Sequence, residues 1–164
     1  MNELTQERLK EIVSFDQDTG IFTRKLKAKG AVVGSVVGYQ KSNGYIAISI
    51  GLKKYYAHRL AWLYVYGKLP KNDIDHIDGN RKNNKIKNLR DVSRTENLQN
   101  LKKAKTHNKS TGLLGAYFHK QIGKFTSRIK VNKKNIYLGL FDTAEQAQQA
   151  YLNAKKQFHS GYVA

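Results

Sequence analysis

The chain has 164 residues, with 30 Lys and Arg against 12 Asp and Glu, so its formal net charge is +18 and its pI is near 10.0. That length allows one ordinary domain or two small ones, and the charge is that of a polyanion binder, without telling DNA from RNA. The absence of cysteine excludes disulfides and cysteine-ligated zinc, so any metal must use nitrogen and oxygen ligands. The opening stretch MNELTQERLKEI carries charges throughout and reads as no signal peptide. No apolar run approaches transmembrane length, so a soluble, cytoplasmic protein without a membrane partner is expected.

Leu4, Leu9, Ile12 and Val13 give a short helix one apolar stripe, with Thr5 as its N-cap. The turn Asp18-Thr19-Gly20 before Ile21-Phe22-Thr23 predicts a hairpin over 15–24. Residues 25–30 are basic and loop-like, and 32–39 are β-branched and punctuated by glycine. In 45–50, Ile46, Ile48 and Ile50 alternate as in a half-buried strand, and Gly51-Leu52-Lys53 turns it back into 54–57. A small antiparallel sheet is therefore expected across 32–57. HRLAWLYVY, 58–66, reads as a largely buried helix ending at Gly67, and Pro70 punctuates the passage into the next strand. His58 and Arg59 open this helix, as a half-buried histidine and a solvated arginine or as contacts to phosphate.

The chemistry-bearing stretch is 73–100, DIDHIDGNRKNNKIKNLRDVSRTENLQN. Ile74-Asp75-His76-Ile77 reads as a strand, the run from Asp78 through Asn84 as turn chemistry, and Leu89-Arg90-Asp91-Val92 as the returning strand. Ser93 and Glu96 have capping-box spacing, which starts a helix at Arg94. Asn83 and Asn84 read as turn residues only. Asp75 can give a carboxylate oxygen and Asn97 a carboxamide oxygen to a hard cation such as Mg²⁺, which completes its shell with water and phosphate. A neutral His76 imidazole can take a proton from an attacking water, with Asn88 as a candidate to fix its tautomer.

The Asp75-His76 pair, Asn88 and Asn97, in this strand–loop–strand–helix frame, resemble the HNH endonucleases of the ββα-metal superfamily, in the subgroup of phage and intron-encoded homing endonucleases. The resemblance implies Asp75 and Asn97 as ligands of Mg²⁺ or Mn²⁺, His76 as general base and Asn88 as the residue orienting it. An HRLAW-like helix just upstream is also usual in these relatives, which keeps a phosphate contact open for His58 and Arg59.

Residues 101–111 are basic and polar, with the helix from Arg94 expected to end among them and a linker to follow. Three strand-like runs then occupy 115–119, 124–131 and 135–141, joined by turns, before a helix over 144–158 with Ala147, Ala150, Tyr151, Ala154 and Phe158 on one stripe. Phe125, Ser127, Ile129 and Val131 are assigned to the helix-packed face of the sheet, and Thr126, Arg128 and Lys130 to the open one. Gly123-Lys124-Phe125, Arg128-Ile129-Lys130, Ala150-Tyr151 and the run from Tyr137 to Ala147 make 113–164 similar to the plant APETALA (ethylene-responsive-factor) DNA-binding domain. That resemblance implies a three-stranded sheet laid in the major groove, with Tyr117, His119, Lys124, Arg128, Lys130 and Tyr137 facing DNA.

The expected architecture is α+β: a small N-terminal antiparallel sheet and helices leading into a ββα-metal HNH unit, followed by a three-stranded antiparallel sheet packed on one helix. The expected domains are 1–104, a basic linker 105–112, and 113–164. The expected activity is metal-dependent hydrolysis of double-stranded DNA by a monomer or homodimer in a bacterial or phage-infected cell, each site nicking one strand. The rival readings are a DNA-binding regulator without catalysis and an RNA binder, the latter without the paired aromatics of a stacking platform.

Overall fold

The computed structural model describes residues 4–27, 30–104, 108 and 110–163. It is a mixed α/β structure of small antiparallel sheets and, among the described residues, four α-helices. Contacts divide the chain into two units, 1–93 and 94–164. The proposed linker residues 105–107 and 109 lie outside the described residues.

In the first unit, α1 (Gln6–Ile12) starts at Thr5, whose hydroxyl accepts from the Arg8 amide at 3.2 Å. The hairpin of β1 (Val13–Asp16) and β2 (Ile21–Arg24) follows, with Phe15 paired to Phe22 and their rings stacked 4.4 Å apart. A three-stranded sheet is built by β3 (Tyr39–Gln40), β4 (Ile46–Ile50) and β5 (Lys53–Tyr56). The β-branched run from Val32 does not join it as a strand. Only Val36 makes an isolated bridge, to Thr23, and Val32, Val33 and Val36 stay exposed. Three glycines nearby, at 30, 34 and 38, take positive φ, so the chain turns too often here to hold a ladder.

Next, α2 (Ala57–Tyr66) buries Leu60, Ala61 and Leu63 and ends at Gly67, in the left-handed conformation. It shares one core with Leu9, Val13, Phe15, Phe22, Ile48, Ile74 and Leu89. Ile74 and Leu89 belong to the two-stranded sheet of β6 (Asp73–His76) and β7 (Leu89–Val92), so the core anchors both arms of the chemistry-bearing hairpin. Asp91 holds the entry to β6, its two carboxylate oxygens accepting from the Lys71 and Asn72 amides.

The second unit begins with α3 (Arg94–Gln99), which stops before the basic stretch where its end was expected. The sheet order is β10-β9-β8, with β8 (Ala116–His119), β9 (Lys124–Val131) and β10 (Lys134–Phe141) antiparallel. α4 (Ala144–Phe158) packs on this sheet and opens with a capping box between Thr143 and Gln146. Ser127 and Ile129 are buried as assigned, but Thr126 is buried too, although it shares a face with Arg128 and Lys130. It is the central residue of a three-strand row, opposite both Tyr117 and Leu140, whose larger side chains cover it.

Candidate active site

The β6–β7 register puts Asp75 opposite Arg90 and His76 opposite Leu89. Asp75 is buried, and its Oδ2 accepts from Arg90 Nη2 at 2.7 Å and Nε at 3.0 Å. A buried carboxylate requires a partner, and the cross-strand guanidinium is one. His76 is 4 % exposed, with Nε2 3.3 Å from Asn84 Oδ1. Asn84 in turn donates its Nδ2 to the Lys82 carbonyl at 3.2 Å, which points its oxygen at the ring. Nε2 then carries the hydrogen and Nδ1 the basic lone pair.

Asn88 does not take the orienting place expected of it. Its Nδ2 donates to Asp78 Oδ1 at 3.0 Å and to the Asn83 carbonyl at 2.8 Å, and its Oδ1 accepts from the Asp78 amide at 3.1 Å. These bonds close the loop between β6 and β7 on itself. The reading of Asn84 as a turn residue only is therefore corrected, since its side chain meets the imidazole. A residue's distance from His76 along an irregular loop does not reveal this.

Burial is the largest influence on His76 and draws its pKa below the usual histidine range, against the Asn84 oxygen and the Asp78 and Asp75 carboxylates, which raise it. The ring is thus neutral at neutral pH, the state a base requires. Burial would raise the Asp78 carboxyl, but its bonds from Asn83, the Asn80 amide and Asn88 outweigh that and hold it low.

His58, near the start of α2, meets His76 edge-on, their ring centroids 5.2 Å apart. It stacks on Tyr56 at 5.4 Å and lies 5.1 Å from Tyr45, which is 5.8 Å from His76. It is 7 % exposed and its Nδ1 is buried without a hydrogen-bond partner. Burial, then the positive charge of His76 and Arg59, drives its pKa down to about 3. Arg81 lies over Tyr45, 4.8 Å from the ring centre, and donates to the Asn43 carbonyl at 2.8 Å. Arg59 instead makes long contacts, 3.5 Å each, to the Asn72 and Pro70 carbonyls. Composition and spacing gave no sign of the roles of Tyr45, Tyr56, Arg81 or Arg90.

The sign of the His58 shift predicts acid sensitivity. A histidine held neutral in the folded chain contributes fully above its unfolded pKa and loses that contribution as pH falls below it. Stability should therefore fall with pH from about 6.5 downwards, by up to ~1.4 kcal/mol per pH unit for one such group. Urea midpoints between pH 7 and 4 measure this, and His58→Phe should flatten the slope; an equally steep slope in the variant would remove His58 from the account.

In the second unit, Tyr117, His119, Lys124, Arg128, Lys130 and Tyr137 share one face of the sheet. His119 is opposite Lys124, Tyr137 is opposite Arg128, and the rest alternate along β8 and β9. Arg128 lies 5.6 Å over the Tyr117 ring, and Lys124 pairs with Asp142 at 2.9 Å. Asn97 lies on α3 of this unit.

Residues 55–99 match the family model described as HNH endonuclease. The chain is 28 % identical over 149 residues to the "SPbeta prophage-derived putative HNH homing endonuclease YosQ" of Bacillus subtilis (strain 168), an alignment spanning 90 % of this chain and 79 % of that protein. No solved structure gives a significant match. The two sequence matches support a nuclease enzyme. No helix among the described residues is long and apolar enough to cross a membrane.

Proposed function

We propose that the protein is a homing-type, divalent-metal-dependent endonuclease that hydrolyses phosphodiester bonds of double-stranded DNA, with His76 as general base. The observation that carries this reading is the His76 imidazole, buried, neutral and held in one tautomer by Asn84 beside the Asp75 carboxylate. Nδ1 takes the proton from the attacking water while Asn84 Oδ1 keeps the Nε2 hydrogen in place. Asn88 acts one step back, closing the loop that presents Asn84. Arg81, a cation fixed over Tyr45, would meet phosphate; His58, buried and neutral, braces His76, and Arg59 is committed to the loop after α2.

HNH nucleases are generally dependent on a divalent metal. In this reading Asp75 and Asn97 hold it, Asn97 on the strength of its place in the sequence pattern. Among the described residues no group of three or more His, Asp or Glu side chains could enclose an ion. So sparse an oxygen donor set fits Mg²⁺ or Mn²⁺, which keep several waters, and the Arg90 pair fixes the carboxylate's position. The bound ion would stabilise charge on the scissile phosphate and the leaving oxygen. Supercoiled plasmid tests the reading: nicking with Mg²⁺, none with EDTA, and a raised Mg²⁺ requirement in Asp75→Asn are expected. Undiminished cleavage in EDTA would end it.

The open face of the C-terminal sheet is proposed to bind the DNA backbone and add selectivity. Arg128→Ala and Lys130→Ala should each weaken binding and make the dependence of log K on log salt shallower, by ~0.9 for each phosphate no longer neutralised. Affinities measured at several salt concentrations decide this, and an unchanged slope in both variants would leave the face as solvated surface.

A further inference from the structure

α3 has six residues and none is buried, so its length alone does not make it stable. The end of the chain packs against it and bonds to its C-terminal turn. The Gly161 amide donates to Gln99 Oε1 at 2.9 Å and the Val163 amide to Asn100 Oδ1 at 3.2 Å. Lys102 Nζ donates to the Val163 carbonyl, and Lys155 Nζ, from α4, donates to the Leu101 carbonyl at 2.8 Å. Lys155 is 1 % exposed, with its ammonium 4.5 Å over the Tyr162 ring, which also carries Lys102 at 4.8 Å. Burial, then Lys102, draws Lys155 down to about 8.

The approach of the tail to the helix is close enough to exclude any side chain. A Cβ on Gly161 would stand 2.4 Å from the Glu96 carbonyl oxygen and 2.5 Å from its Cα. The φ of Gly161 lies outside the left-handed region, so contact and not backbone strain selects glycine here.

We propose that residues 161–163, together with Lys155, are a positioning device for α3, fixing the backbone from which Asn97 offers its oxygen to the metal. The inference rests on the reading of Asn97 as a ligand. It gives the C-terminal module a part in catalysis besides holding DNA: the last residues of the chain set a helix more than sixty positions earlier. A chain cut near residue 105 would therefore lose both the DNA-binding face and the groups that order α3.

The test uses the full chain and Mn²⁺ as the probe. Gly161→Ala introduces the excluded methyl; Asn100→Leu removes the acceptor for Val163, and Asn100→Asp restores one. Amide exchange across 94–99, Mn²⁺ affinity by electron paramagnetic resonance, the Mn²⁺ concentration for half-maximal cleavage, and metal-free DNA affinity are compared. In Gly161→Ala and Asn100→Leu, exchange in α3 should quicken and Mn²⁺ binding and requirement weaken, each by roughly tenfold, the weight of one or two net hydrogen bonds. DNA affinity should hold, and Asn100→Asp, which keeps an acceptor for the Val163 amide, should lie closer to the wild type than Asn100→Leu. Faster exchange with an unchanged Mn²⁺ affinity would reduce the contacts to structural ones and overturn the proposal, as would unchanged exchange. Should Gly161→Ala not fold, the Asn100 pair decides alone. Asn97→Ala separates the underlying reading: if it leaves Mn²⁺ binding untouched, Asn97 is no ligand and the inference falls with it, whereas a Mn²⁺ defect in Asn97→Ala alone condemns only the tail.

Discussion

His76→Ala is expected to lower DNA cleavage by ~10²–10⁴-fold, the usual weight of a general base, while leaving DNA affinity nearly unchanged. The imidazole contributes rate rather than contacts, because it is 4 % exposed and its surroundings are protein: Asn84, Tyr45 and His58. Single-turnover nicking under saturating DNA isolates the chemical step, and a urea midpoint guards against a destabilised variant. Free imidazole added to the reaction should restore part of the rate, since the missing group is a proton acceptor and the space left is its own size. Cleavage at the wild-type rate would remove His76 from the mechanism. Asn84→Ala should fall between the two, since the ring remains but its Nε2 hydrogen loses the acceptor that selects the tautomer.

The second large effect is expected far from the base in sequence. Gly20, in the turn of the β1–β2 hairpin, has φ +74°, and a Cβ there would lie 2.4 Å from the Lys85 amide nitrogen and 2.5 Å from the Asn84 carbonyl carbon. The same contact is tied by the Ile86 amide donating to the Gln17 carbonyl at 3.2 Å. The N-terminal hairpin is thus the wall against which the loop bearing Asn84 is set. Gly20→Ala combines a left-handed alanine with a backbone collision and should destabilise by roughly 2–6 kcal/mol. Against the ~5–15 kcal/mol total of an ordinary domain, that is a large share. Gly51→Ala is the control, with φ +58° but nothing within 4 Å of its Cβ. It should show the backbone term alone. Where Gly20→Ala remains folded at low temperature, its cleavage rate should fall as in Asn84→Ala. Equal stabilities for the two glycine variants would show that the hairpin does not support the loop.

Much of this was legible in the residues themselves. Thr5 before an apolar stripe, Asp18-Thr19-Gly20 between Phe15 and Phe22, Gly67 after HRLAWLYVY, and the alternation from Phe125 to Val131 each specify a local backbone. The structure carries α1, the first hairpin, α2 and β9 at those places. The six DNA-facing residues that the resemblance implied in the C-terminal sheet share one face, because cross-strand register preserves faces. Where local signals competed, they misled: the β-branched run from Val32 reads as a strand, but its glycines turn it away from the sheet.

The residues alone prescribe most of the strands and helices and their order, the apolar faces that pack them, the basic character of both halves, and Asp75 and His76 side by side on a strand. The partners those side chains meet come from the folded arrangement. Asn84 rather than Asn88 reaches the imidazole, Arg90 closes on Asp75 across the hairpin, and Gly20 and Gly161 are glycines because another backbone passes within a Cβ's reach. The physical reason is one of range. Periodicity, caps and turns act over a few neighbouring residues and leave their mark in composition, whereas these contacts join residues from a few to more than sixty positions apart. Their geometry is set by the paths of loops and tails that carry no repeating pattern to read.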